Sequence, residues 1–270
     1  MAANQAFQLE ETRGWKMGLR NFIRKENGEW FKTRRWWIQL LIWTLLIDGF
    51  LILFMVSVQN GPRMSGQMMT DQEMFTTALE VLFGISTMGI GLGVIIATQD
   101  EVIGEKTNGT AAWVLSKPAS RVSFYLSKLF TNGLSILILM LVIPFLIAFG
   151  LLWSKNPGMS IPNFLVAFGI LLIHTFFYLS LSLLVGVFAN KRSIVLAITL
   201  SALLGGQLMM NIIKELMYFT PFGLSSIMAG VANEGPLALP GILWLPIGMT
   251  LLFSLIFVLL SVWKIQKLEF

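Results

Sequence analysis

The chain has 270 residues, 56% of them apolar and only 12% charged, with a mean hydropathy of +0.76 and a net charge of +5. About a quarter of a soluble domain is charged because its surface must face water, so a water-soluble fold is excluded, and the excess cations read as loops on one side of a membrane, not as a nucleic-acid surface. The absence of cysteine and the single histidine, His174, exclude disulfides, thiolate zinc sites, thiol nucleophiles and histidine-rich metal clusters.

Residues 1–35 form an amino-terminal segment with no apolar core of the kind a cleaved signal peptide needs, so the first span is expected to stay as an anchor. Within it, residues 11–26 read as an amphipathic helix lying in the membrane surface. Trp15, Leu19, Phe22 and Ile23 fall at helical spacing, while Arg13, Lys16, Arg20 and Arg24 supply cations for anionic lipid headgroups. The same pattern also fits an amphipathic helix packed on protein. Asn27-Gly28 is expected to end it.

Six apolar stretches then follow, at about 36–58, 75–98, 129–153, 164–188, 194–213 and 242–263. Each is close to the roughly 20 helical residues that cross a hydrocarbon core. A spanning β-barrel would need alternating apolar and polar residues, and runs such as Leu-Ser-Ile-Leu-Ile-Leu-Met-Leu-Val-Ile at 134–143 do not alternate. The fold class is therefore all-α, with a six-helix transmembrane domain over 36–263.

Span one carries Asp48, 12 residues in, which is roughly 18 Å deep and near the midplane. Span two carries Glu80 close to its outer end, and Gly89, Gly91 and Gly93, whose Gly-xxx-Gly spacing permits close helix approach within one subunit. Residues 99–128 form the long polar loop. There, Gly104-Glu-Lys-Thr-Asn-Gly109 has the glycine spacing of a phosphate-binding loop, but Thr110-Ala111 stands where Lys-Ser/Thr is required. No cation is left for the terminal phosphates, so the chain does not hydrolyse ATP itself. Span four holds His174 at mid-depth. Residues 214–241, apolar yet broken by Thr-Pro-Phe-Gly, Pro236 and Pro240, read as short re-entrant helices buried against protein. Span six leads into a short tail, 264–270.

Sixteen cations lie before span one, between spans two and three, between spans four and five, and after span six. Only Arg63, Lys155 and Lys214 lie on the other side. The richer side is cytoplasmic, which places both termini there and makes the chain a multi-pass protein of the plasma (inner) membrane. A charge at the midplane costs at least about 3 kcal/mol, which makes Asp48, His174 and Glu80 the candidate pathway residues. The alternative is that they are hydrogen-bonded or neutral core residues, with Glu80 reaching the interface.

The long loop reads Asp100-Glu-Val-Ile-Gly-Glu105-Lys-Thr-Asn-Gly109-Thr110, an apolar patch, then Lys117-Pro118-Ala-Ser120-Arg121, with Lys128 beyond. This resembles the type-2 ABC exporter permease family, in particular the branch related to the permease of the nitrous oxide reductase maturation system. Arg24-Lys-Glu26 and Arg34-Arg35-Trp-Trp likewise look like the family's amino-terminal connecting helix and entry to span one. The resemblance implies a half-transporter: two permease subunits, as a homodimer or heterodimer, resting on two copies of a separate ABC ATPase. ATP and Mg would bind that ATPase, and this chain would hold no cofactor or metal of its own. Glu101, Glu105, Lys106, Gly109, Thr110, Lys117, Pro118 and Arg121 would couple the loop to the ATPase. Local chemistry is compatible, since Gly109 permits a helix break, Pro118 disfavours helix at Lys117, and Ser120 suits a helix N-cap.

Two other classes compete with an ATP-driven exporter. A secondary transporter, or another polytopic membrane protein without an ATPase, would show paired intramembrane ionisable groups or repeated broken helices. An intramembrane enzyme would need His/Asp/Glu clusters. The spans show neither pattern.

Overall fold

The computed structural model describes residues 16, 18–60, 70–108 and 120–267, and among them every regular element is helical. Trp15, Gly109, Thr110, Lys117 and Pro118 lie outside the described residues. The helices are α1 (Leu19–Phe31), α2 (Arg35–Asn60), α3 (Asp71–Thr98), α4 (Ile103–Thr107), α5 (Arg121–Ile136), α6 (Ile143–Lys155), α7 (Ile161–Phe188), α8 (Arg192–Leu200), α9 (Gly206–Ile212), α10 (Leu224–Glu234) and α11 (Trp244–Gln266). Six stretches are long and apolar enough to cross a membrane. Spans one, two, four and six are α2, α3, α7 and α11. Span three is α5 and α6 joined by a π-helical turn, Leu137–Val142, and span five is α8 and α9 joined by another, Ser201–Gly205.

Local chemistry sets the helix ends. Thr70 and Glu73 cap α3 reciprocally: the Glu73 amide donates to Thr70 Oγ1 (3.2 Å) and the Thr70 amide to Glu73 Oε2 (2.8 Å). Ser120 caps α5 by accepting from the Val122 amide at 3.2 Å. Span three therefore starts at Arg121 instead of near 129, and Lys128 lies on a helix and not in a loop. Pro144 accounts for the π-turn. It has no N–H to give the preceding turn, and the helix adapts by widening, so the Ile143 amide reaches back five residues to the Ile138 carbonyl.

Spans two and four form the centre, with span six and α10 packed along span four and span one along span two. Leu224, Ile227, Met228 and Val231 bury the apolar face of α10 against spans two and four. The outer segment thus supplies the short buried helices its apolar, proline-broken sequence implies. Gly235 ends α10 at φ +94°, where a side chain would also press on Asn163. Spans one, five and six turn broad apolar faces outward, with Leu45, Leu208 and Leu259 about two-thirds exposed or more, as membrane spans do.

One expectation fails in α1. The helix runs straight through Asn27-Gly28 to Phe31, because residues on both sides of that pair are tied to span three, as described next.

Candidate functional site: a polar hub at the loop end

Helix α1 lies on α5 with Phe22, Glu26 and Trp30 buried on its inner face. These positions recur every four residues and so share one side of the helix. The Phe22 ring meets Phe124 edge-on, centroids 6.1 Å apart. Four residues further along both helices, Glu26 Oε1 meets Lys128 Nζ at 3.1 Å. After four more, the Trp30 indole N–H donates to Asn132 Oδ1 at 3.1 Å. Asn132 in turn donates to the Lys128 carbonyl at 2.9 Å. The apolar face of α1 is thus used on protein, while Arg20 and Arg24 stay exposed.

Lys128 is the centre of the hub, and its side chain is only 2% exposed. Besides Glu26 it meets Glu105 Oε1 at 2.9 Å and Glu101 Oε2 at 3.4 Å, and it lies over the Phe124 ring at 5.3 Å. Glu101 and Glu105 stand one helical turn apart around the start of α4 and so reach the same ammonium. Glu105 Oε1 also takes Lys25 Nζ at 3.0 Å. Beside the hub, a polar cleft of about 560 Å³ is lined by Lys25, Gln39, Gln99, Asp100, Glu101, Glu105 and Arg192 among others. Gly104 sits where a β-carbon would come within 3.2 Å of the Asp100 carboxylate.

The same loop reaches the remaining spans. Lys106 Nζ donates to the carbonyls of Gly186, Val187 and Ala189 at 3.1, 2.6 and 3.4 Å, satisfying the open C-terminal end of span four. Gln99 Oε1 accepts from Arg192 at the start of span five, at 2.9 Å. Arg121 donates to the Gln266 carbonyl at the end of span six, at 3.0 Å. Residues 99–108 are therefore bonded to α1 and to the loop ends of spans three, four and five, while Arg121, the first residue of span three, holds the end of span six.

Burial pushes the Glu26 carboxyl above the usual carboxylate range; Lys128 pulls it back, and Glu101 and Glu105 add to the rise. Relative to the unfolded chain, folding thus shifts Glu26 toward the protonated form. The stability Glu26 contributes is complete below the ordinary carboxyl range and is lost as pH rises through the raised value. Glu26→Gln should remove this dependence. The melting temperature of that variant relative to the unmodified protein is expected to climb as pH rises above the ordinary carboxyl range. A constant difference over that rise would show that Glu26 keeps an ordinary titration in the fold.

Of the residues proposed for coupling, Glu101, Glu105, Lys106 and Arg121 come together here. Lys128 and Glu26, which entered the sequence reading through the family resemblance, belong with them, and so does Trp30, which nothing local marks out. The three intramembrane candidates are not brought together. Asp48 is 3% exposed on the buried face of span one, and neither carboxyl oxygen has a hydrogen-bond partner among the described residues. His174 is buried in span four with its ring 5.0 Å from that of Tyr178, while Glu80 is exposed on span two. No group of three or more potential metal ligands occurs among the described residues.

Residues 20–263 match the family model described as ABC-2 family transporter protein. A comparison with curated proteins finds no match.

Proposed function

The chain belongs to the ABC-2 transporter family and is the membrane component of an ABC transporter, and on that premise we propose that residues 99–121 are the element through which a separate ATPase drives it. Proteins of this family pair with an ABC ATPase. Our reading is an exporter with two permease subunits, alike or different, on two ATPase subunits. It lies in the plasma membrane with both termini and the hub on the cytoplasmic side, in the branch related to the nitrous oxide reductase maturation permease. Sixteen cations against three support that orientation.

The observation that carries the proposal is the set of ties from one short segment, residues 99–108, to α1 and three spans. A push on α4 is passed to span three through Lys128, to span four through Lys106 and to span five through Gln99 and Arg192, and span three hands it on to span six through Arg121. Nucleotide-driven closure of the ATPase pair would thereby shift helices between inward- and outward-facing states. Glu105 acts here by position: its Oε1 is already taken by Lys25 and Lys128, so it holds α4 at the right angle instead of gripping the ATPase.

Glu105→Ala should leave membrane insertion normal yet abolish stimulation of ATP turnover, or reduce copurification of the ATPase. Losing one partner of a buried charge pair costs 2–5 kcal/mol or more, enough to let α4 drift while the spans hold. Gly109→Val should act alike. Normal ATPase binding and transport in both variants would remove these residues from coupling, and absence of any associated ATPase would remove the exporter itself.

For Asp48, His174 and Glu80 the pathway role remains our proposal, resting chiefly on the unsatisfied carboxyl of Asp48. Asp48→Asn should alter transport with assembly intact. Asp48→Leu should raise the melting temperature, since it removes a polar group from mid-membrane. Unmodified transport in both takes Asp48 out of the pathway.

A further inference from the structure

Spans four and six end side by side at the loop end of the bundle. There Lys264 Nζ stands 5.5 Å from the centre of the Phe188 ring, and Lys267 Nζ lies 4.1 Å over the Trp263 ring. Both rings are half exposed on the outer flank of the bundle. An aromatic ring with a cation on it, at the point where a span leaves the apolar zone, is suited to the boundary between acyl chains and headgroups.

The two lysines are not spent on the helix ends. Lys106 already serves the last carbonyls of span four, and Arg121 serves Gln266 on span six. Among the described residues neither Lys264 nor Lys267 forms an ion pair. Lys106 and Lys264 repel one another, so among the described residues the positive charge of this rim is not offset by an ion pair. Lys191, three residues beyond Phe188, adds to it.

We propose that Phe188, Trp263, Lys264 and Lys267 form a binding site for the phosphate-bearing headgroup of an anionic phospholipid. The cations take the phosphate and the two rings lie against the glycerol and upper acyl chain. A soluble phosphate would use the lysines but leave the rings, which face the flank and not the cleft, without a role. A lipid held there would fix the loop ends of spans four and six, the first tied to α4 through Lys106 and the second to span three through Arg121. The site does not depend on the coupling role, and it can be tested on the permease alone.

The test uses the full chain in phosphatidylcholine vesicles containing brominated phosphatidylglycerol or, separately, brominated phosphatidylcholine. Quenching lost on Trp263→Phe reports on this position. The expected result is a preference for phosphatidylglycerol on the order of tenfold, as two lysines at an anionic surface would give. The preference should vanish in K264Q/K267Q and survive in K264R/K267R, with quenching by brominated phosphatidylcholine unchanged in both. Equal quenching by the two lipids in the unmodified chain, or a preference that persists in K264Q/K267Q, overturns the proposal. Abolition of the preference by added inorganic phosphate would mark a soluble-anion site and overturn the lipid assignment. If Trp263→Phe fails to insert, native mass spectrometry of phosphatidylglycerol retained by the unmodified chain and K264Q/K267Q gives the same contrast.

Discussion

Replacing Lys128 with methionine is expected to prevent recovery of folded protein, and it is the most damaging single change in the loop-end half of the molecule. The side chain is nearly inaccessible and holds three carboxylates within 3.4 Å. Methionine would fill much the same volume, so the cost is electrostatic. Breaking a buried pair by removing one partner typically costs about 3–5 kcal/mol, because the other charge stays behind unbalanced. Here three stay behind, and the cation beside them, Lys25, is exposed and paired with Glu105. That loss rivals the whole stability of many domains. The readout is monodisperse yield in mild detergent and melting temperature. Combining Lys128→Met with Glu26→Gln, Glu101→Gln and Glu105→Gln should recover much of the loss. If Lys128→Met alone melts like the unmodified protein, the cluster is hydrated and does not hold the loop.

Gly93→Val should be comparably harmful for a different reason. The indole of Trp43 lies directly on Gly93, so that a β-carbon there would overlap the ring. Trp43 cannot simply swing away, because it is buried and its N–H is bonded to Gln39 Oε1 at 2.7 Å. Spans one and two would have to separate, exceeding the ordinary overpacking cost of about 1–3 kcal/mol. Gly84→Ala on the same helix is the control, since nothing lies within 4 Å of its β-carbon position. It should change stability by less than about 1 kcal/mol, and in the favourable direction through helix propensity. Thermal unfolding of the two variants decides the matter: similar melting points would mean that spans one and two are not in contact at Gly93.

The spans were legible because an apolar run of about 20 residues has few alternatives. The Gly89–Gly93 spacing also spoke truly, and both residues admit span one, through Leu46 and Trp43. Ser120 announced its cap. Lys128 stood out only through the family resemblance, and nothing announced its burial. By the logic that assigns lysines to the watery side of a membrane, it belongs with the loop cations. Its burial depends on Glu26, 102 residues away in sequence, and on Glu101 and Glu105. A local window cannot register partners at that distance. The one available hint was the pair Glu101 and Glu105, a helical turn apart and ahead of a lysine at the start of an apolar helix. Asn27-Gly28 misled for a related reason. Its breaking tendency is a local preference of about 1 kcal/mol for the glycine, and it is outweighed by the ties that Glu26 and Trp30 make to span three.

The distance between Glu26 and Lys128 also bears on how the chain is made. Synthesis runs from the amino terminus, so α1 and the first two spans leave the ribosome before Lys128 exists. Glu26, Glu101 and Glu105 are then expected to stay in water, since Lys25, exposed and paired with Glu105, is one cation for three carboxylates. Only when span three is inserted can they close around its ammonium and draw α1 and α4 down onto the bundle. The hub then acts as a check on biogenesis. A chain truncated before residue 128, or one whose third span fails to insert, keeps its acidic residues and the apolar face of α1 on display. Those are the features by which a cell's quality-control machinery can tell an unfinished subunit from a finished one.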